Sequence, residues 1–258
     1  MQKEDDHIPT LCGIPFKGAR WREEWLQPGL SIVYTVNAEF LYWSLKMPRF
    51  REALERGDCT ADGKWVVWLL NLKYGGKIAE HLPGSRLALK ILEEAGRLGL
   101  KVGFVGETEE ILARAAQEAK RRWNVEVATY APGIIPLEPR EDDEEVESIR
   151  RFVEEARPDI LFIALGPPKQ EILIDVLKHT LDNIGARLAM GVGGTLKMLA
   201  GVEKPAPHLI SRVGLEWLWR FIQNPRKRAV KVWRSVRGLM CGLREAVSSR
   251  VRGGSRLR

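Results

Sequence analysis

The sequence predicts an α/β fold: a Rossmann-like, doubly wound and mostly parallel sheet, followed by a basic α-helical C-terminal appendage. The first observation behind this prediction is that strand patterns alternate with helical patterns at least five times, which is typical of a parallel sheet covered by helices on both faces. The second is an abrupt change of composition and charge after residue 203. We therefore place an α/β domain at residues 1–203 and a basic helical appendage at residues 204–258.

The predicted strands are short, β-rich or continuously apolar runs, which is the pattern of strands buried on both faces. They cover residues 30–35, 100–105, 125–130, 159–165 and 186–192. The segment at residues 57–63, Gly-Asp-Cys-Thr-Ala-Asp-Gly, is predicted as a turn cluster instead, because it is mostly polar and is bounded by glycines.

The predicted helices follow these strands and carry apolar residues three or four positions apart. One helix follows the first strand and ends near residue 56, others cover residues 86–99, 111–119 and 141–156, and two more begin after residues 171 and 195. Gly99 is a typical helix stop signal. The acidic start of the 141–156 helix is favourable, since negative charge stabilises a helix N-terminus.

Composition excludes several broad classes of protein. The 258 residues are 45% hydrophobic, which is enough for a packed core and excludes wholesale disorder. The three cysteines, Cys12, Cys59 and Cys241, are far apart and lack CxxC spacing, so neither a disulfide scaffold nor a cysteine-based zinc site is predicted. The polar, acidic start is no signal peptide and no apolar run reaches about 18 residues, so we expect a cytoplasmic protein without a membrane span.

Charge is unevenly distributed between the two predicted domains. The whole chain has a net charge of +7, but residues 204–258 contain 14 Lys and Arg against 2 Asp and Glu, whereas residues 1–203 have a net charge of −5. Apolar residues recur every three or four positions between residues 229 and 247, as in a basic amphipathic helix. Such a helix either binds an anionic membrane surface or packs its apolar stripe on the body of the protein, and both interpretations stay open at this point.

The carboxyl ends of the predicted strands form the candidate site, because ligands of parallel sheets bind where strand ends meet the loops. These ends lie at residues 35–37, 106–107, 166–170 and 191–195. Asp62 lies in an Asp-Gly turn beside an apolar run, where a carboxylate suits a general base, although Asp-Gly is also a common turn. Lys169 and Gln170 lie at a predicted helix N-terminus, which suits the binding of an anion or a polar ring.

Several common nucleotide- and metal-binding motifs are missing from the sequence. There is no GxGxxG, which argues against a Rossmann dehydrogenase, and no GxxxxGK[ST], which argues against a P-loop NTPase. The four histidines do not pair at metal-ligand spacing, and no DxD-like pair follows a strand. We therefore expect no metal site.

Five short blocks occur in a fixed order along the chain. They are Tyr34-Thr-Val-Asn-Ala-Glu39, Ala61-Asp-Gly63 with Val66-Val67, Gly166-Pro-Pro-Lys-Gln-Glu171, Gly191-Val-Gly-Gly194 through Ala200-Gly201, and Gly214-Leu-Glu-Trp-Leu-Trp-Arg220 followed by Asn224-Pro-Arg226. In order and spacing, over roughly residues 14–235, they resemble the bacterial WecG/TagA/CpsF glycosyltransferase family. Each block alone is a weak signal, whereas five in register are specific.

The resemblance implies an inverting, metal-independent transferase without a cofactor. It would move a sugar from a UDP sugar to a polyprenyl-diphosphate-linked sugar in cell-surface polysaccharide or teichoic-acid-type synthesis. It implies Asp62 as the general base. Thr35, Asn37 and Gln170 match polar pocket residues of the family, and the implied contacts to the acceptor diphosphate and the membrane are Arg220, Lys227 and Arg228. From their positions at the strand ends and a helix start, the other predicted substrate-binding residues are Lys169, Gly106, Glu107, Gly166, Gly191, Gly193 and Gly194. The resemblance also implies a peripheral position on the inner face of the cell membrane, with no nucleic-acid partner.

The sequence departs from the family pattern at a few positions near the predicted site. Lys197 and Arg86 stand where acidic residues are common, and Trp65 stands where a small residue is common. The two charge reversals leave the donor open between an N-acetylmannosamine type, a sugar with a carboxylate and a plain hexose. Two other functions stay as alternatives: a family member that lost catalysis and acts as a binding subunit, and a nucleic-acid-binding protein that uses its basic tail. A homo-oligomer also stays open.

Overall fold

The computed structural model describes residues 8–18, 21–76, 79–203, 216–223 and 225–254, with the backbone alone at 216, 217, 220, 223, 226, 227 and 251–254. Within these residues, an antiparallel pair, β1 (Thr10–Leu11) and β2 (Ile14–Pro15), precedes the main sheet. The main sheet contains β3 (Ser31–Val36), β4 (Asp58–Ala61), β5 (Val102–Gly106), β6 (Val127–Tyr130), β7 (Ile160–Ala164) and β8 (Leu188–Gly191). These six strands are parallel, in the spatial order β4-β3-β8-β7-β5-β6.

Helices join the strands and cover both faces of the sheet. In the described part of the chain they are α1 (Ala38–Lys46), α2 (Pro48–Glu55), α3 (Lys64–Tyr74), α4 (Gly84–Leu98), α5 (Glu109–Trp123), α6 (Glu144–Ala156), α7 (Lys169–Val176), α8 (Lys178–Ile184), α9 (Thr195–Leu199), α10 (Glu216–Gln223) and α11 (Pro225–Gly254), with a 3-10 helix at Glu23–Leu26. Parallel strands alternate with helices, and the long helix α11 follows them. This arrangement confirms the predicted α/β fold.

The central strands are buried because they carry apolar residues at consecutive positions. All five residues of β5 and all five of β7 are buried. On one face, α4, α5 and α9 pack around Phe104 and Phe162, whose rings stack 6.1 Å apart. On the other face, α1, α2, α6 and α7 pack against sheet residues such as Ile163, and Leu173 of α7 is buried in the same layer. The sheet therefore has an apolar layer on each side, as a doubly wound fold requires.

Two of the predicted elements need correction. Residues 58–61, predicted as part of a turn, form the edge strand β4, and three of its four residues are buried. The polar Asp58 is accommodated there because its carboxylate accepts a 2.7 Å hydrogen bond from the indole N–H of Trp25. The single helix predicted after β3 is two helices, because Met47 takes an extended conformation before Pro48, a residue that disfavours helical geometry at the position preceding it.

Helix α11, the main part of the predicted appendage, packs directly on α1 and α3. Small residues form the closest part of the contact face, and Leu239 and Cys241 also pack against the core. A Cβ added at Gly238 would collide with the carbonyl oxygen of Ala38, and one at Gly242 would lie 2.9 Å from the side chain of Leu69. Ala246 on the same face is fully buried. The helix therefore approaches the body closely enough that glycine is required at its contact face.

Two ion pairs add to this contact. Lys73 of α3 lies 2.7 Å from the carboxylate of Glu245, which also accepts a 2.8 Å hydrogen bond from the main-chain N–H of Cys12. Arg234 donates a 3.2 Å hydrogen bond to the buried carboxylate of Glu39 in α1. The partners lie at both ends of the contact, so the pairs fix the helix along its length.

The opposite face of α11 is apolar and exposed. Its side chains are between 40% and 55% exposed, and they are Val230, Trp233, Val236, Met240, Leu243 and Val247. Most of the apolar stripe predicted in the tail therefore remains at the surface, since packing on the body uses the small residues of another face. None of the helices in the described ranges has the length and apolar character needed to cross a membrane. The domain boundary after residue 203 stays a prediction, because residues 204–215 lie outside the described residues.

Gly238→Ala is expected to weaken the docking of α11, because the added methyl group would meet main-chain atoms of α1. We expect the free energy of unfolding to fall by about 1–3 kcal/mol, the usual cost of overpacking. Trypsin should also cleave α11 faster. The control is Ser248→Ala on the exposed face of the same helix, which should leave stability and cleavage nearly unchanged. Equal behaviour of the two variants would contradict the docking described here.

Candidate active site

A cavity of about 530 Å³ opens at the carboxyl edge of the sheet, where the sequence placed the candidate site. Its wall is formed by the residues that follow β3, β4, β7 and β8, by Glu107 after β5, and by α11 between Arg228 and Leu239. A volume of this size is within the range of small-molecule sites. The carboxyl ends of neighbouring parallel strands meet at one edge, so distant sequence blocks come together here.

Asp62 directly follows β4 and lies half-buried on the cavity wall. Its main-chain N–H donates a 2.8 Å hydrogen bond to the carbonyl oxygen of Val36, which holds the end of β4 beside the end of β3. Gly63 then has a φ of 140°, a conformation that favours glycine, and leads into α3. The carboxylate is therefore carried by a main chain that is fixed on both sides.

Thr35 and Asn37, at the end of the neighbouring strand β3, line the same wall. The side-chain oxygen of Asn37 accepts a 2.9 Å hydrogen bond from the main-chain N–H of Glu39 and so caps α1. Thr35 is only 7% exposed, and Gly84 lies so close that an added Cβ would be 2.6 Å from the threonine hydroxyl. Both side chains are thus held in place by the start of a helix.

Gln170 lines the cavity but is almost fully buried, and its amide connects two turns. The amide oxygen accepts hydrogen bonds from the main-chain N–H groups of Gly166, at 2.9 Å, and Gly193, at 3.2 Å. The amide nitrogen donates to the carboxyl group of Glu171 at 2.7 Å. A Cβ at Gly191 would collide with this amide, so glycine is required there. Gln170 therefore fixes the turns after β7 and β8 to each other.

Two residues predicted to bind substrate lie away from the cavity wall. Lys169 donates a 2.6 Å hydrogen bond from its ammonium group to the carbonyl oxygen of Ile135, so it holds the loop after β6. Gly106 is buried at the end of β5, where an added Cβ would lie 2.8 Å from the main chain of Ala164. Its role is close packing of two strands. The predicted residues Gly166, Gly193 and Gly194 do line the cavity.

Lys197 and Arg86, the two basic residues at positions where the family commonly has an acidic one, lie in different places relative to the cavity. Lys197 lies on the cavity wall, and its ammonium group is 2.8 Å from the carboxylate of Glu107, which also lines the cavity. The Glu107 side chain is mostly buried and its main chain has a positive φ of 56°. Arg86 is exposed and is not among the lining residues. The first reversal is therefore compensated within the protein, and the second lies outside the cavity.

Helix α11 places basic residues on the cavity wall. The guanidinium of Arg228 lies 3.0 Å from both carboxylate oxygens of Glu203, and both residues line the cavity. Lys231, one turn further along, is exposed and lines it too. The side chains of the other two predicted basic residues, Arg220 and Lys227, lie outside the described part of the structure.

Several lining residues were missed by the sequence analysis: Lys64, His81, Ser85, Lys231 and Ser235. Lys64 directly follows a recognised block and Ser85 directly precedes Arg86, a position that departs from the family pattern, so proximity to these positions was the available signal. His81 is brought to the wall by a bridge to Ala61, a contact that no local pattern reveals. Among the residues that the structure describes, no group of three or more His, Cys, Asp or Glu is placed to hold a metal ion.

Glu171 is a buried carboxyl group beneath the cavity. One of its oxygens accepts the hydrogen bond from Gln170, and the other has no partner in the described residues. Burial, with a smaller contribution from nearby Glu39, raises the pKa of Glu171 from 4.5 to about 8, against the opposing effects of the Gln170 hydrogen bond and Lys231. The carboxyl group is therefore protonated, and neutral, in the folded protein at neutral pH.

Glu171→Gln is expected to change how stability depends on pH. The folded state holds the Glu171 proton up to about pH 8, whereas the unfolded state releases it near 4.5, so the stabilising contribution is complete below pH 4.5 and is lost as pH rises to 8. The glutamine variant has no proton to lose. In thermal unfolding, its melting temperature should therefore fall less between pH 6 and pH 9 than that of the unchanged protein. The difference should be about 2–4 °C for each kcal/mol of stability that the unchanged protein loses as Glu171 ionises. Parallel pH curves would contradict the burial of an ionisable group here.

Comparison with known proteins agrees with the motifs and extends them through α11. A relative from Bacillus spizizenii, "N-acetylglucosaminyldiphosphoundecaprenol N-acetyl-beta-D-mannosaminyltransferase", is 28% identical over 199 residues, which cover 76% of this chain and 73% of the relative. The sequence profile of the "Glycosyl transferase WecG/TagA/CpsF family" matches residues 14–252, which is nearly the whole chain. The chain therefore belongs to the WecG/TagA/CpsF family and is a glycosyltransferase.

Proposed function

We propose that this glycosyltransferase moves a sugar from a UDP sugar to an acceptor sugar carried on a polyprenyl diphosphate, in the synthesis of a cell-surface polymer. The observation that carries the proposal is the position of Asp62, half-buried on a cavity wall that also holds polar strand ends and basic residues of α11. By its name, the Bacillus relative acts on N-acetylglucosaminyldiphosphoundecaprenol, which supports the same class of acceptor here.

In the proposed reaction, Asp62 is the general base. Its carboxylate takes the proton of the acceptor hydroxyl group while that oxygen forms a bond to the anomeric carbon of the donor. The bond from the anomeric carbon to the diphosphate oxygen breaks on the opposite side, UDP departs, and the configuration at that carbon is inverted. Base catalysis of this positioned kind contributes about 10²- to 10⁴-fold to the rate.

The charge of the departing diphosphate is proposed to be balanced by α11 without a metal ion. Lys231 lines the cavity with an exposed ammonium group that is suited to phosphate oxygens, whereas Arg228 lines it while its guanidinium group is paired with Glu203. The turn that carries Gly193 and Gly194 lies on the same wall and lets a nucleotide approach the main chain closely. Positive side chains and main-chain N–H groups stabilise developing negative charge in the way that a metal otherwise would.

The donor sugar is proposed to be uncharged, of the N-acetylmannosamine type or a related hexose. A donor with a carboxylate would need a cation on the cavity wall. Lys197, the residue that suggested such a donor, already pairs with Glu107 at 2.8 Å. The bridge satisfies the lysine within the protein, so it does not favour a charged donor.

The exposed apolar face of α11 is proposed to bind the inner surface of the cell membrane. Basic residues flank this face: Arg237 stacks on the ring of Trp233 at 4.8 Å, and Arg244 is exposed beside Leu243. An amphipathic helix with a tryptophan and flanking arginines is suited to an anionic lipid surface. The same helix lines the cavity, so binding would bring the active site to a lipid-linked acceptor.

Asp62→Asn is expected to lower kcat by about 10²- to 10⁴-fold, because the amide cannot accept the proton. The measurement is sugar transfer from a panel of UDP sugars to N-acetylglucosaminyl diphosphoundecaprenol, with and without EDTA. The control is Asp182→Asn on the exposed surface of α8, which should retain activity. Full activity of Asp62→Asn would rule out the base assignment. Loss of wild-type activity in EDTA would rule out metal independence.

Absence of transfer from every UDP sugar would contradict the proposed function and favour the binding-subunit alternative. Calorimetry with UDP distinguishes a transferase from a binding subunit, since a subunit that has lost its donor site binds no UDP. Specific, steeply salt-dependent binding to DNA or RNA, with no transfer, would instead favour the nucleic-acid alternative.

Met240→Glu is expected to weaken binding to vesicles that contain anionic phospholipid, because it places a negative charge in the middle of the exposed apolar face of α11. Flotation of protein with vesicles measures the bound fraction. The control is Leu98→Glu, an exposed leucine on α4 that is 42% exposed and lies outside α11. Equal flotation of the two variants would show that another surface binds the membrane.

A further inference from the structure

Helix α3 carries two exposed tryptophans beside the cavity. Trp65 and Trp68 are 46% and 49% exposed, and their rings meet edge to face with centroids 6.4 Å apart. The residues of α3 that pack into the core are Val66, Leu69 and Leu70. The two indoles therefore form an aromatic surface outside the core, defined here as the Trp65–Trp68 surface.

This surface begins at the cavity and leads away from it. Trp65 lines the cavity wall, whereas Trp68, about one helical turn further along α3, is not among the lining residues. Only Gly63 and Lys64 separate Trp65 from Asp62 in the chain. Trp65 therefore lies on the same cavity wall as the proposed base, and Trp68 extends the aromatic surface beyond the lining residues.

Packing in the hydrophobic core does not explain why two tryptophans lie at these positions. A tryptophan side chain buries a large apolar area when it packs, and half of that area remains in water at both positions. The first turns of α3 are already anchored by Val66, Leu69 and Leu70. Apolar rings with convergent polar groups beside them are typical of ligand sites. Asp62, Thr35 and Asn37 supply such polar groups on the same cavity wall.

We propose that the Trp65–Trp68 surface is the acceptor subsite, in which the Trp65 ring stacks on the acceptor sugar and Trp68 contacts the first isoprenoid units. This inference rests on the proposed function. An acceptor hydroxyl group that gives its proton to Asp62 must belong to a sugar ring beside that carboxylate, and Trp65 is the exposed aromatic ring there. Sugar rings have C–H faces that pack on aromatic rings, and isoprenoid chains are apolar.

The order of groups in the acceptor matches the order of features on the protein. The acceptor consists of a sugar, a diphosphate and then an isoprenoid chain, so the diphosphate lies between the two apolar contacts. Lys231 of α11 lines the same cavity and carries an exposed positive charge. A cation on this wall is suited to the acceptor diphosphate.

The test measures acceptor binding directly, with UDP present, for Trp65→Ala, Trp65→Phe and Trp68→Ala. The probes are N-acetylglucosaminyl diphosphate carried on a methyl group, which has no isoprenoid unit, and the same headgroup carried on an undecaprenyl chain, both in detergent. The control is Trp21→Ala, which removes a tryptophan that contacts Trp25 and Lys90 and does not line the cavity. Thermal unfolding and the Kd of UDP are measured for every variant.

Trp65→Ala is expected to raise the acceptor Kd about 10-fold or more for both probes, with Trp65→Phe restoring most of the affinity and the Kd of UDP unchanged. Trp68→Ala should raise the Kd only for the undecaprenyl probe. An unchanged acceptor Kd in Trp65→Ala, or an equal rise in the Kd of UDP, would overturn the assignment. A Trp65→Ala effect confined to the undecaprenyl probe would also overturn it, since Trp65 would then contact lipid and not sugar.

Acceptor binding is measured independently of sugar transfer. The experiments can therefore contradict the acceptor subsite and the proposed transferase reaction independently of each other. Acceptor binding that depends on Trp65, in a protein that transfers no sugar, would support the subsite and contradict the proposed transferase reaction. Transfer with normal acceptor KM in Trp65→Ala would support the reaction and contradict the subsite.

Discussion

The amide group of Gln170 is the interaction on which the geometry of the cavity depends. It binds the main chain at Gly166 and Gly193 together, so the turns after β7 and β8 cannot move independently. The amide fits only because Gly191 has no side chain. The family motif around Gln170 thus acts through main-chain positioning, and polar groups that face the ligand must come from other elements. Asp62 and Thr35, at the ends of β4 and β3, are among the polar residues that line the cavity.

Helix α11 serves the fold and the cavity through different faces. Its small residues pack closely on α1 and α3, Arg228 and Lys231 line the cavity together with Val232, Val236 and Leu239, and most of its other large apolar residues are exposed. Because α-helical residues three or four apart share a face, one amphipathic segment provides these separate surfaces. The charge asymmetry of the sequence is therefore local in its effect: positive charge lies at the rim of the cavity and beside the exposed face.

The sequence was sufficient for the order of the main elements, because buried strands and amphipathic helices have periodic apolar patterns that local inspection detects. It was insufficient for β4, which is short, polar at one end and stabilised by pairing with β3. It was also insufficient for Lys169 and Gln170, since helix N-terminal residues adjacent in sequence bind groups on different loops. Which partner a polar side chain finds is decided by contacts between distant segments, and periodicity carries no information about them.

The protonation of Glu171 and the docking of α11 are linked through shared partners. Lys231 lowers the pKa of Glu171, and Arg234 bonds to Glu39, the carboxyl group that raises it. A helix displaced from the body would take both cations away from these two acids. A neutral acid beneath the cavity and a basic helix across it are therefore parts of one electrostatic arrangement.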